Sequence, residues 1–305
     1  MQEAVAALRA QTYPADRFEI IAVDNGSSDG TWEWLLEAAR QPGVPLACFR
    51  NETAFKTHAG SRNVGLRHAR GSIIAFTDSD CMAAPDWIGN AVARFRPGLG
   101  VLVGRTIPPP NDPVGPMSRV RIIESEEFYD TCNIFYSREA IDRVGGFMTD
   151  IPRFSFMVLG EDSELGIRVK QAGYDSAYAA EVVMMHRVRE QTLWQWLLEP
   201  RALAAVPYLV RKHPVIRSQM LFRRYFLSLT TALFDLALLG ALLGLLVSPW
   251  LLLLALPLVI HKLVEGGKHL GPAMRVVRAA GGCVRAGVIF GVLLYGSLRF
   301  RSLVI

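Results

Sequence analysis

An α/β domain with a mainly parallel sheet and helices on both faces, followed by an α-helical membrane region, is the fold this sequence predicts. Three observations predict it. Apolar runs of strand length alternate with helical patterns over the first 190 residues. Several of those runs stop at acidic residues, the end of the strand where open α/β sheets place ligands. Charge is also unevenly divided: residues 1–186 hold 18 Lys and Arg against 24 Asp and Glu, whereas residues 187–305 hold 15 against 4. With 51% hydrophobic residues and a mean hydropathy of +0.24, an acidic first part and a basic, apolar second part read as a soluble domain joined to a membrane-facing one. No nucleic-acid partner is expected, because the basic residues flank long apolar runs and do not alternate with exposed aromatics.

Taken in order, residues 3–11 read as a helix closed by Tyr13-Pro14, and Glu19 to Val23 as the first strand, ending at Asp24. The run from Asp24 to Thr31 (Asp-Asn-Gly-Ser-Ser-Asp-Gly-Thr) is a turn, with Ser28 or Asp29 capping the helix that begins at Trp32. Val44 to Phe49 is the second strand and residues 59–69 the next helix. Ile73, Ile74, Ala75 and Phe76, bounded by Gly71 and Asp78, read as a central strand buried on both faces. Strand, helix, strand, helix, strand in this order predicts parallel pairing through right-handed crossovers. Further on, Thr131 to Tyr136 is a strand, and Arg138 to Val144 a helix stopped by Gly145-Gly146. Glu161-Asp162 opens a helix with Leu165, Val169 and Ala172 on one face and Gly173 at its end.

The residue types suggest chemistry. Asp78 and Asp80 lie two apart at a strand end, and two like charges that close need a counter-charge, which a divalent Mn2+ or Mg2+ supplies with positions left for substrate phosphates. Arg62 opens a helix and its planar fork suits a phosphate or base contact; a surface salt bridge is the alternative. Asp162, at a helix start, is favoured in its ionised form by the helix dipole. The four cysteines, Cys48, Cys81, Cys132 and Cys283, show no paired spacing, which argues against zinc or a disulfide framework and fits a reducing compartment. Met1 to Ala10 lacks the features of a signal peptide, so the first domain is expected in the cytosol. The Pro-rich stretch from Thr106 to Pro116 is either a loop over the acceptor side of the site or a rigid connector.

Five motifs in order carry a resemblance: the Asp24–Thr31 turn, Gly60-Ser-Arg-Asn-Val-Gly-Leu66, Gly71 to Asp80, Gly145-Gly-Phe147 and Gly160-Glu-Asp-Ser-Glu-Leu165. Over about the first 190 residues the chain resembles family 2 glycosyltransferases, which have the GT-A nucleotide-sugar-binding fold. The family's opening strand has no counterpart, which is expected to leave a neighbouring strand unpaired. By this resemblance Asp24 contacts the nucleotide base, and Arg62, Asn63, Asp78 and Glu161 belong to the substrate site. Asp80 holds the metal that bridges the diphosphate, with His186 as a second metal or diphosphate residue. Asp162 is the general base that takes a proton from the acceptor hydroxyl in an inverting transfer. The donor implied is a nucleotide diphosphate sugar, most often UDP-linked; the acceptor is lipid-linked or another glycan near the membrane. The other class of reading is a shortened, non-catalytic membrane subunit that keeps the fold.

The domains expected are 1–190 catalytic, 191–225 basic interfacial helices lying on membrane lipids, and 226–305 transmembrane. Residues 226–247 and 250–264 are read as crossings; 286–304 is a third crossing, a re-entrant piece or an interfacial helix. Lys262, Lys268, Arg275, Arg278 and Arg285 place the intervening loop on the cytosolic side of the cell membrane, the side of Arg223-Arg224. Gln191-Thr-Leu-Trp-Gln-Trp196 only faintly resembles the Gln-x-x-Arg-Trp signature of processive synthases. Its tryptophans are read as interfacial anchors, and the enzyme as adding one sugar at a time.

Overall fold

The computed structural model describes residues 1–54, 56–126, 129–154, 160–265 and 271–305; Lys268 lies outside them. Two compact units result, one of Met1–Asp112, Val120–Asp150 and Glu161–Val188, the other of Pro113–Arg119, Ile151–Gly160 and Arg189–Ile305.

The first unit runs α1 (Gln2–Arg9), β1 (Ile20–Asp24), α2 (Thr31–Arg40), β2 (Leu46–Arg50), α3 (His58–His68), β3 (Ile73–Phe76), β4 (Cys81–Ala83), α4 (Trp87–Arg94), β5 (Leu99–Ile107), β6 (Ile134–Ser137), α5 (Arg138–Val144), α6 (Glu161–Gln171) and β7 (Asp175–His186). β1 and β2 pair in parallel, as the alternating order predicts. The other strands form a five-stranded sheet in the order β3-β6-β5-β7-β4, in which only β5 and β7 are parallel. The sheet is therefore mixed where a mainly parallel one was expected. A turn closed by the Cys81 N–H on the Asp78 carbonyl follows β3 directly, and β4 leaves to pair with β7 at the far edge.

β3 is an edge strand of its sheet, with Ile74 buried and Ala75 exposed; the expected burial on both faces is not found. An apolar run alone does not distinguish a central strand from an edge strand covered by helices. Among the described residues no strand pairing joins β1 to β3, and each ends a sheet.

The centre of the larger sheet is β5, whose Val101, Leu102 and Val103 are fully buried, Leu102 packing with Trp87, Phe135, Val182 and Met184. One buried polar residue ties this core together: Asn133 accepts from Trp87 Nε1 at 2.7 Å and donates to the carbonyls of Arg105 and Val182, both at 2.9 Å. A buried amide with all these partners satisfied specifies one arrangement of three strands.

The second unit is helical: α7 (Leu193–Leu198), α8 (Val206–Lys212), α9 (Val215–Gln219), α10 (Leu229–Leu246), α11 (Leu256–Glu265) and α12 (Pro272–Phe300), with 3-10 turns at Glu199–Ala205 and Pro249–Ala255. α10, of 18 residues, and α12, of 29, have the length and hydropathy of membrane spans. Their apolar side chains stay largely uncovered, and Leu245, Leu246 and Leu298 are exposed. Residues 250–264 fall in a 3-10 segment begun by Pro249 and in the ten-residue α11. Arg275, Arg278 and Arg285, read as loop residues, lie within α12. Trp194 is exposed, but Trp196 is buried beneath Arg285, whose guanidinium lies 4.8 Å from its ring. Arg285 and Arg119 both pair with Glu199, at 2.9 and 3.0 Å.

Candidate active site

The site is built where α3, β3, β6 and α6 meet. Thr57 caps α3 by accepting from the Gly60 N–H, and this sets Arg62 in the second turn. Arg62 is the hub. Its Nη1 donates to Asp162 Oδ1 at 2.8 Å and lies 3.5 Å from Glu161 Oε1, and its Nη2 donates to Asp78 Oδ1 at 3.2 Å. The Phe147 ring closes the remaining side, 5.6 Å from the guanidinium carbon. Burial disfavours its charge, but Asp162, Asp78 and Glu161 outweigh that and hold its pKa above the usual arginine value.

Asp162 and Glu161 are adjacent in sequence but differ in environment. Asp162 keeps a quarter of its side chain exposed, and its Oδ2 accepts from Thr131 Oγ1 at 2.7 Å and from the Thr131 N–H at 3.4 Å. Glu161 is buried, and its Oε2 has no hydrogen-bond partner among the described residues. Burial, reinforced by the Asp162 charge, pushes the Glu161 carboxyl up to about 8. Glu161, expected among the substrate residues, is thus an interior group that carries a proton at neutral pH.

Asn63, expected in the substrate site, engages its amide on the Phe147 backbone. Its Nδ2 donates to the Phe147 carbonyl at 2.8 Å and its Oδ1 accepts from the Phe147 N–H at 2.9 Å. This reciprocal pair explains the Gly-Gly-Phe motif: Gly145 and Gly146 take φ of +89° and +74°, and a Cβ on Gly146 would stand 2.9 Å from Asn63 Oδ1. Asp24, expected at the nucleotide base, is buried at the tip of β1. It accepts from the N–H groups of Gly26 and Ser27 at 3.2 and 3.0 Å, and Arg50 lies 3.6 Å away. Burial opposes its ionisation, but the hydrogen bonds from Ser27 and Gly26 and the charge of Arg50 prevail, leaving its pKa below the usual carboxylate value. Asp29 caps the next turn by accepting from the Thr31 N–H, and Gly30 is the residue that precedes α2.

The Asp78-x-Asp80 pair divides. The intervening turn sends Asp78 to Arg62, whereas Asp80, half exposed, faces His186 with 3.7 Å between Oδ1 and Nε2. The two acids do not project together as an extended segment would place them. Cys81, opposite His186 in the β4–β7 pairing, completes the one group of potential metal ligands found among the described residues. His186 Nδ1 lies 2.9 Å from the Arg187 carbonyl; with the proton assigned there, Nε2 keeps its lone pair. A carboxylate oxygen and an imidazole nitrogen suit Mn2+, and the buried Cys81 thiol is too soft a donor for Mn2+ or Mg2+. Asp80 and His186 therefore fit a hard divalent cation.

Thr131 and Cys81 are contact residues that sequence reasoning did not place at the site: Thr131 reads as the start of an apolar strand, and Cys81 as one of four cysteines without paired spacing. Only the acid at the mouth of the neighbouring segment, not known from sequence spacing, gives Thr131 its meaning.

A mixed α/β sheet thus carries one arginine that joins three acidic side chains, together with a metal-competent pair, Asp80 and His186. The sequence model described as "Glycosyl transferase family 2" matches residues 1–150, and that of "Glycosyl transferase family group 2" matches 127–264. The chain belongs to family 2 of the glycosyltransferases. Glycosyltransferase AglE of Haloferax volcanii is 30% identical over 203 residues, which are 62% of this chain and 63% of that protein, so the match takes in under two thirds of the relative. An undecaprenyl-phosphate 4-deoxy-4-formamido-L-arabinose transferase of Edwardsiella ictaluri is 30% identical over 86 residues, 28% of this chain and 26% of that one. In fold, the chain matches a mannosyltransferase from Pyrobaculum calidifontis solved with GDP-Man and Mn2+, with a TM-score of 0.57 and 21% identity, covering 98% of this chain and 82% of the other.

Proposed function

We propose that this protein is a membrane-anchored, metal-dependent, inverting glycosyltransferase that moves one sugar from a nucleotide diphosphate sugar to a membrane-proximal acceptor. The observation that carries the reading is the placement of Asp162: ionisable, a quarter exposed, and held by Arg62 and Thr131. In this reading the acceptor hydroxyl gives its proton to an open lone pair of Asp162 as its oxygen attacks the anomeric carbon from the side opposite the diphosphate. Arg62 holds Asp162 and Asp78 in fixed relation across the cleft, and the neutral Glu161 avoids a third negative charge on the same guanidinium. Asp80 and His186 would hold Mn2+ or Mg2+, which when bound stabilises the charge developing on the departing diphosphate.

The base of the donor is expected to be uracil, as in many such enzymes, although the mannosyltransferase of like fold was solved with GDP-Man. A lipid-linked acceptor accords with α10 and α12 and with the undecaprenyl-phosphate substrate in the name of one relative. The catalytic unit is placed on the cytosolic face, where nucleotide sugars are made and where the basic residues of 197–225 would meet anionic lipid.

The test is transfer across a panel of nucleotide sugars by membranes carrying the chain, with and without Mn2+, beside Asp162→Asn. Metal-dependent turnover by the wild type and loss in the variant are expected. Equal turnover by both removes Asp162 as the base, and no turnover together with no metal-dependent nucleotide binding favours the non-catalytic subunit.

A further inference from the structure

We infer that Thr131 is a positioning residue for sugar transfer, which fixes the plane of the Asp162 carboxylate through a two-point contact from the loop that enters β6. The inference rests on the reading of Asp162 as the base.

Thr131 is buried, on a different segment from the acid it serves. Its hydroxyl reaches Asp162 Oδ2 at 2.7 Å, a charge-assisted distance, and its backbone N–H approaches the same oxygen at 3.4 Å. The opposite oxygen, Oδ1, takes the Arg62 bond at 2.8 Å. A carboxylate on a helix start has two soft torsions, and one donor leaves the plane free to turn about that bond. Donors on both oxygens, from α3 on one side and the β6 approach on the other, leave one orientation. The lone pairs not engaged then point in a set direction. Asp162 keeps 26% of its side chain exposed, which leaves it open to an incoming hydroxyl.

The Thr131 side chain also suits the burial. Threonine carries both a methyl group and a hydroxyl donor, so serine supplies the bond without the methyl and valine the shape without the bond. Its own support is firm: Asn133, two residues on, is anchored to Trp87, Arg105 and Val182, so the loop that carries Thr131 is registered against the core. Proximity effects give the expected size, since a misplacement of about 1 Å at a reacting group can cost on the order of a hundredfold in rate.

The experiment compares Thr131→Val and Thr131→Ser in the full chain in membranes. For Thr131→Val the expectation is a fall in kcat of between about tenfold and a hundredfold, with the donor KM and the Mn2+ dependence of nucleotide binding unchanged, and Thr131→Ser restoring kcat to within about threefold of wild type. A valine variant that keeps wild-type kcat overturns the proposal, as does a serine variant as slow as valine, or a loss confined to donor KM. Nucleotide binding in the presence of Mn2+ reports whether each variant is folded; if valine loses it, the serine comparison decides. Asp162→Asn is measured alongside: if it turns over like wild type, the base assignment itself has failed, whereas an inactive Asp162→Asn with an unaffected Thr131→Val removes Thr131 alone.

Discussion

Replacing Arg62 by leucine should destabilise the protein strongly. The guanidinium, with 15% of its side chain exposed, stands within 3.5 Å of Asp78, Glu161 and Asp162. Leucine fills part of the volume but leaves the acids without a counter-charge. Glu161, already pushed up to about 8, stays protonated at neutral pH and adds little. The burden falls on Asp78 and Asp162, whose side chains are 33% and 26% exposed. Removing one partner of a buried ion cluster costs about 3–5 kcal/mol, and because both remaining acids reach water the lower end, about 3 kcal/mol, is expected. For a unit of this size each kcal/mol is worth about 2–4 °C, so the melting midpoint should fall by about 6–12 °C. Arg62→Lys keeps the charge but not the fork, and should lose roughly half as much, since one ammonium does not span three carboxylates. The assay is thermal unfolding of the full chain in detergent, followed by tryptophan fluorescence, with Trp87 in the core as a reporter. An Arg62→Leu midpoint within about 1 °C of wild type would refute the view that this residue holds the site together.

Other outcomes follow from the same geometry. Asp80→Ala and His186→Ala should each weaken Mn2+-dependent nucleotide binding by at least about tenfold by titration calorimetry, with little change in the metal-free melting midpoint. Glu161 holds a proton in the folded state that the unfolded chain releases near its ordinary value of 4.5, so rising pH from there through about 8 favours unfolding. Glu161→Gln should abolish that part of the decline, which melting curves between pH 5 and about 9 will show. Asn63→Ala removes both bonds to Phe147 and leaves two backbone groups unpaired, a loss of about 2–4 kcal/mol in denaturant unfolding. Gly104→Ala would put a Cβ 2.4 Å from the Val182 carbonyl and from Asn133 Nδ2, and should reduce the yield of folded protein, as read by detergent-extracted monodisperse material.

Much of the fold was legible locally. The helix from Arg138 to Val144 is found at its expected bounds, with Gly145 in the left-handed conformation that ends it. The helix opening at Glu161 buries Leu165 and Val169 as the spacing requires, although Ala172 is exposed. The long apolar stretch before Ser248 is α10. Each of these depends on residues three or four apart, or on a capping residue next to the helix, and such contacts are written in the chain itself.

What did not come through was everything that depends on a distant partner. The run Ile73–Phe76 looked central and is an edge strand, because β6, some sixty residues later, pairs with it on one side only. Asp78 and Asp80 looked like one acidic pair, and a turn directs one to Arg62 and the other to His186. The bonds of Asn63 to the Phe147 backbone, 84 residues away, could not be read from spacing either.

By itself, then, the amino-acid order determined that this is an α/β domain followed by apolar helices, and which acids, arginine and histidine were available to the site. The tertiary structure alone decided strand direction, the burial that protonates Glu161, and the approach of Thr131 to Asp162. The physical reason is range: periodicity and capping act within a turn or two of chain, whereas sheet register and the surroundings of a carboxylate are set by groups brought together only when distant segments pack.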